Sequence, residues 1–163
     1  MMGCPPVQSF AMELEQLFSM ATLLAMIGWL ILVILPRHHY ARIAGGLVVP
    51  LILSAGYLAL IAQYFRGAEG GFGSLADVAT LFQKQELLLA GWIHYLAFDL
   101  FIGGWEIRDS QRHGLPHLVV IPCLVMTFML GPVGLLFYFA IRTAKTGALS
   151  LSRQSFSGGG DEA

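Results

Sequence analysis

The chain has 163 residues, 56% of them hydrophobic and 12% charged, with Lys+Arg 9 against Asp+Glu 10. The charged share is about half the ~25% usual in soluble domains, and a soluble globule this small has too much surface to hide so much apolar side chain. A soluble single domain and a disordered chain are nearly excluded, a nucleic-acid binder lacks its basic footprint, and what remains is an integral membrane protein.

Residues 1–16 form an N-terminal segment with no pattern until Met12-Glu13-Leu14-Glu15, so Met1 and Met12 both stand as starts of translation. No Lys or Arg precedes the first apolar run, which is also too long for the core of a secretory signal. Crossing a hydrocarbon layer about 30 Å thick takes about 20 apolar residues at 1.5 Å each. Four stretches qualify, over about 17–35, 43–65, 87–104 and 118–141. They predict an all-α protein, a four-transmembrane-helix bundle forming one domain over 17–145. The connections are short, so consecutive helices are expected to be antiparallel neighbours.

In the second span Pro50 lacks the N–H that would bond the Gly46 carbonyl, which predicts a kink. The connection after it opens with Gly67-Ala68-Glu69-Gly70-Gly71-Phe72-Gly73. Ser74 and Asp77 then resemble a capping box, and Leu75, Val78, Leu81 and Phe82 recur at helical spacing. A short amphipathic helix lying in the interface is expected between spans two and three. The fourth span carries Gly131-Pro132-Val133-Gly134 near its middle, where Pro132 should kink the helix and freed carbonyls must face protein or a cavity. The tail over 146–163 reads as disordered. Cys4 lies outside the apolar spans and Cys123 inside one, so no bridge is expected between them.

A four-span chain orients poorly. With the N-terminus outside, the inner loops hold Arg37, Arg42, Arg108 and Arg112. With it inside, they hold Arg66, Lys84, Arg142, Lys145 and Arg153. The flanks of the first span, acidic before and basic after, favour the N-terminus outside.

The third span holds the polar groups. His94 and Asp99 fall within about 3 Å and about 6 Å of its midpoint, where an Asp costs roughly 2.5–3.5 kcal/mol on insertion scales. A functional group facing the bundle interior and a polar clasp between helices are the two readings. At about 100° per residue, His94 and Asp99 stand about 140° apart and cannot bond each other. Trp92, Tyr95, Asp99 and Glu106 share a stripe that Gln85 and Leu88 extend backwards. Facing a cavity, that stripe suits a flat apolar ligand with one or two polar groups, Trp92 and Tyr95 being its binding residues. Beyond the span, Glu106, Arg108, Asp109, Arg112 and His113 form a dense polar cluster. It is either an interfacial ion-pair network or the mouth of a cavity, with Arg108 and Arg112 contacting substrate and Glu106 and Asp109 in acid–base work. Asp109, His113 and His117 share a helical spacing that suits a metal, but Gly114 and Pro116 interrupt it, and no metal site is assigned.

At Trp92-Ile93-His94, Asp99-Leu100-Phe101 and Gly131-Pro132-Val133-Gly134, and in the spacing of its spans, the chain resembles the abscisic-acid-deficient-four-like family from about Glu13 to Ala144. In plants that family is associated with neoxanthin formation, the isomerisation of a xanthophyll epoxide to an allene in plastid membranes. The resemblance implies a multi-pass membrane protein acting on, or beside, a carotenoid or other isoprenoid lipid. Trp105-Glu106-Ile107-Arg108-Asp109 departs from the plant pattern and looks like the bacterial branch, which implies a bacterial cytoplasmic membrane, and no transit peptide is evident.

Under that resemblance the chain is expected to be an intramembrane isomerase, with Asp99 as one acid–base group and His94, Glu106 or Asp109 as the other. Such a redox-neutral step calls for no cofactor. A non-catalytic carotenoid- or quinone-binding scaffold, or helper subunit of another membrane enzyme, is the second expectation. A small proton-coupled transporter, active as an oligomer, is the third.

Overall fold

Unbroken apolar runs leave backbone polar groups no partner in hydrocarbon except one another, and a helix satisfies them within one segment. The computed structural model describes residues 7–147, which are helical throughout apart from connections, with no strand among the described residues. Met1, Cys4 and the tail from residue 148 lie outside the described residues. The helices are α1 Val7–Ile34, α2 His39–Tyr64, α3 Leu75–Leu81, α4 Gln85–Arg112, α5 His117–Leu130 and α6 Pro132–Thr146. Three of them, α1, α2 and α4, are long and apolar enough to cross a membrane.

Local chemistry sets the boundaries. Ser74 caps α3, its hydroxyl oxygen accepting the Asp77 N–H at 3.1 Å, and Asp77 adds an acid at the positive end of the helix. Leu81 of α3 is buried while Leu75 is exposed. The helix of the third span runs on past 104 to Arg112, so the polar segment after the span belongs to the same rod. It stops where Gly114 takes φ +65° and Pro116 follows. In α2 the expected kink takes the form of a π-helical turn over Ala44–Val48. The wider turn absorbs the missing donor and the bulk of Pro50.

Helix α4 is the spine. α2 runs antiparallel to it: the rings of Tyr57 and His94 are 5.5 Å apart, and Lys84 Nζ donates to the Tyr64 carbonyl at 3.2 Å. Near the other end Gly46 and Gly104 let the two backbones meet. A Cβ on Gly104 would lie 2.6 Å from the Gly46 Cα. α1 runs parallel to α4, joined by Trp92 Nε1 donating to Thr22 Oγ1 at 3.2 Å and by Trp29 packed on Gly103. Leu32, Leu53, Leu96, Leu100 and Leu124 fill the interior. Lipid tails are as apolar as leucine, so close packing rather than exclusion of water holds such helices together.

The stretch expected as a fourth span differs from a single crossing. It divides at Gly131 into α5 and α6, of 14 and 15 residues, about 21–23 Å each. The two fold back on each other. Gly134 packs so tightly on Thr127 that a Cβ there would fall on the Thr127 backbone nitrogen, whereas a continuous helix would hold these residues about 10 Å apart. Tyr138 returns to Asp109, and Lys145 Nζ donates at 2.8 Å to the carbonyl of Gly114, just ahead of α5. The tip lies against Asp99, near the middle of α4. The reversal needs a residue at φ +53°, ψ −106°, which Gly131 supplies without the clash a Cβ would bring. Among the described residues the long apolar helices therefore number three rather than four, and a helical hairpin stands where the fourth was expected.

Candidate functional site

A hairpin that stops beside Asp99 leaves the other half of α4 uncovered on that side. There, a half-open cleft of about 740 Å³ lies between α1 and α4, with Phe82 closing one end. Leu14 and Phe18 of α1 face Leu88, Trp92 and Tyr95 of α4 across it. Glu15 and Gln85 are its polar rim. Trp92 is held in place by its bond to Thr22 and by ring contacts at 5.6 Å to Phe18 and 5.5 Å to Tyr95. Gln85, Leu88, Trp92 and Tyr95 share this wall because steps of three, four and three residues return to one face of a helix.

The same face continues under the hairpin tip. Tyr95 donates its hydroxyl proton to the Phe128 carbonyl at 2.8 Å, joining the cleft wall to α5. One turn further, Asp99 is half-buried against Gly131, where a Cβ would stand 3.1 Å from Oδ1. Its Oδ2 is enclosed and has no hydrogen-bond partner among the described residues. Two turns beyond, Glu106 is 0% exposed. Its Oε1 accepts the Thr127 hydroxyl at 2.9 Å, and its Oε2 is likewise enclosed without a partner among the described residues. Enclosed acid oxygens that lack a donor are costly, and both lie on the face that lines the cleft.

Asp109 anchors a second group. Its Oδ2 accepts the Tyr138 hydroxyl at 2.6 Å and stands 3.2 Å from Arg142 Nε and 3.4 Å from His113 Nδ1. Arg142 is 0% exposed, and its Nη2 meets His113 Nε2 at 3.2 Å. A guanidinium can only donate, so Nε2 accepts, and the ring proton sits on Nδ1, 2.9 Å from the Asp109 carbonyl. A buried acid, a buried guanidinium and two further donors make a network that clamps α6 to α4.

The expected site residues thus separate. Trp92, Tyr95 and Asp99 follow one another from the cleft to the hairpin tip. Glu106 and Asp109, expected at a cavity mouth, are instead enclosed beneath α5 and α6. Arg108 is half-buried with its guanidinium 6.0 Å from the Phe101 ring centre, and Arg112 is exposed. Neither reaches the acids, and the guanidinium that does is Arg142. His94 is exposed on the opposite face, between the Tyr57 and Phe98 rings at 5.5 Å and 4.6 Å. His117 turns to the Val33 carbonyl at 2.8 Å, away from Asp109 and His113. Thr127, Tyr138 and Arg142 escaped the sequence reading. The available signal was the four-residue spacing of Tyr138 and Arg142, which puts both on one face of the helix.

The family model described as ABA4-like (ABA DEFICIENT 4-like) matches the chain over residues 16–138. No curated protein and no solved structure matches it.

Proposed function

The chain belongs to the ABA DEFICIENT 4-like family, and from that membership we propose a multi-pass membrane protein that takes an isoprenoid or carotenoid-like lipid into the cleft between α1 and α4 and isomerises it by acid–base chemistry at Asp99. In this reading α1, α2 and α4 cross the bilayer, α3 lies in the interface, and the α5–α6 hairpin enters and leaves on one side. Non-helical backbone at membrane depth is tolerated where protein covers it, and Gly131 at the hairpin tip is buried.

The observation that carries the reading is the continuity of one helix face from apolar cleft to acid. Leu88 and Trp92 offer flat apolar contact to a polyene or prenyl chain. Tyr95 closes the inner end. Asp99, one turn on, presents an acid oxygen with no partner among the described residues. A long apolar ligand enters such a half-open cleft sideways from the acyl layer.

Opening an epoxide to an allene is balanced by two proton transfers. An acid gives its proton to the epoxide oxygen as the C–O bond breaks. A base takes a proton from the neighbouring unsaturated carbon as the cumulated double bond forms. Asp99 serves as one of these groups and water admitted through the half-open cleft as the other, since Glu106, about 10 Å farther along the same face, is enclosed beneath α5. Trp92 and Tyr95 orient the chain of the substrate, and the enclosed Asp109–Arg142 pair holds α6 in place beneath.

The test is to purify the protein in mild detergent, identify bound lipids by extraction and mass spectrometry, and supply a xanthophyll epoxide. The expected product has unchanged mass and an allenic infrared band. Trp92→Ala should lose bound pigment, and Asp99→Asn should keep it without turnover. A folded Asp99→Asn protein converting substrate at the wild-type rate would overturn the role of Asp99. Pigment bound but never converted would leave a binding protein.

A further inference from the structure

The folding-back of α5 and α6 sorts the charges. With α1 and α4 parallel and α2 antiparallel, the α1–α2 connection, the end of α4 and both ends of the hairpin share one end of the bundle. Arg37, Arg42, Arg108, Arg112, Arg142 and Lys145 gather there, and the acids Glu106 and Asp109 are enclosed beneath the hairpin. Glu13, Glu15, Glu69, Asp77 and Glu86 gather at the opposite end with Arg66 and Lys84. A fourth crossing would have carried Arg142 and Lys145 to the acidic end, and no clear asymmetry would remain.

These cations do different things. Arg142 is taken up by Asp109 and His113, Arg42 bonds Gln111, and Lys145 bonds the Gly114 carbonyl. Arg37 and Arg112 project from the rim, exposed. Arg108 sits one turn inside it, half-buried, its guanidinium over the exposed Phe101 ring. The guanidinium thus reaches back over a ring seven residues nearer the middle of α4, and its charge lies inward of the rim on apolar surface. The exposed rim arginines carry a permanent charge and so attract headgroups that are net negative.

We propose that this end is a docking surface for anionic phospholipid headgroups, contacted by the exposed Arg37 and Arg112, so that it faces the anionic, cytoplasmic leaflet. The proposal rests on the membrane reading above but not on any catalytic role, so loss of isomerase activity would leave it untouched.

It is tested in nanodiscs of phosphatidylcholine with 30% phosphatidylglycerol, using spin-labelled lipids to compare association of the two with the protein. Phosphatidylglycerol should be preferred at low salt, and added salt should weaken the preference. Arg37→Gln and Arg112→Gln should each reduce it, by up to about fivefold per charge, equivalent to about 1 kcal/mol. The corresponding Lys variants should retain most of it, and Arg66→Gln at the opposite end should leave it unchanged. Equal association of both lipids with the wild type would overturn the proposal. So would a preference that survives the double Gln variant, one equally sensitive to Arg66→Gln, or displacement by inorganic phosphate at matched ionic strength, which marks a free-anion site.

Discussion

Replacing Arg142 with Met separates the network beneath the hairpin from its surroundings. Arg142 is fully buried, 3.2 Å from the Asp109 carboxylate. Met keeps much of its volume and removes the charge. Deleting one partner of a buried ion pair costs about 3–5 kcal/mol, because the remaining charge is left uncompensated. Asp109 keeps the Tyr138 hydroxyl at 2.6 Å and the His113 ring at 3.4 Å, which places the expected loss near the lower bound, about 3 kcal/mol. Asp109→Asn on top of Arg142→Met removes the orphaned charge but retains an acceptor for Tyr138. The double variant should therefore recover part of the loss and sit about 1–2 kcal/mol below wild type, with clear coupling between the positions. Reversible unfolding by sodium dodecyl sulfate in mixed micelles measures all three. Arg142→Met costing under about 1 kcal/mol, or a double variant as unstable as the sum of its parts, would show that the pair is screened as at a surface and that the α6–α4 clamp is misplaced.

Gly131→Ala should destabilise by about 1–3 kcal/mol because φ +53°, ψ −106° is backbone that a Cβ disfavours, with further strain from a Cβ set 3.1 Å from Asp99 Oδ1. A neutral result in the same titration would argue against the tight reversal. Gly104→Ala drives a methyl group to 2.6 Å from the Gly46 Cα and should cost about 1–3 kcal/mol by forcing α2 and α4 apart; the same unfolding measurement decides it. His94→Ala should leave both stability and substrate conversion close to wild type, because the ring is exposed on the far side of α4. Abolished conversion in a folded His94→Ala protein would move the chemistry to the α2 side.

What the sequence disclosed and what it hid divide along physical lines. Runs of apolar residues fix where helices lie, and the stretches around 17–35, 43–65 and 87–104 correspond to α1, α2 and α4. Hydrophilic exceptions on a helix fix a face, so Trp92, Tyr95, Asp99 and Glu106 could be placed on one stripe from their spacing. Ser74 declared the start of α3 through its side-chain oxygen. Hydropathy, however, sums the same over one long helix and over two short ones folded together. The distinction rests on a backbone torsion at Gly131 and on the absence of a side chain at Gly134, where α5 and α6 cross. A proline in the sequence promises an interruption without telling a bend from a reversal. Arg142 was misjudged for the same reason: counted as a loop charge after a crossing, it comes back to Asp109 because the helix carrying it returns. Exposure could not be read from residue type either, as His94 shows by lying outside while the less conspicuous Thr127 and Tyr138 lie within.

The cleft, the sheltered acids and the segregated charges all depend on the chain turning back at Gly131. In a background with Cys4 and Cys123 replaced by Ala, single cysteines at Ser74, His39 and Ala144, all exposed positions, can be labelled with a membrane-impermeant maleimide. Right-side-out and inverted vesicles then report which side each residue occupies. Ala144→Cys should label from the same side as His39→Cys and opposite to Ser74→Cys. Labelling of Ala144→Cys together with Ser74→Cys would mean a complete fourth crossing, with no returning hairpin to leave the cleft open or to bring Arg142 to Asp109.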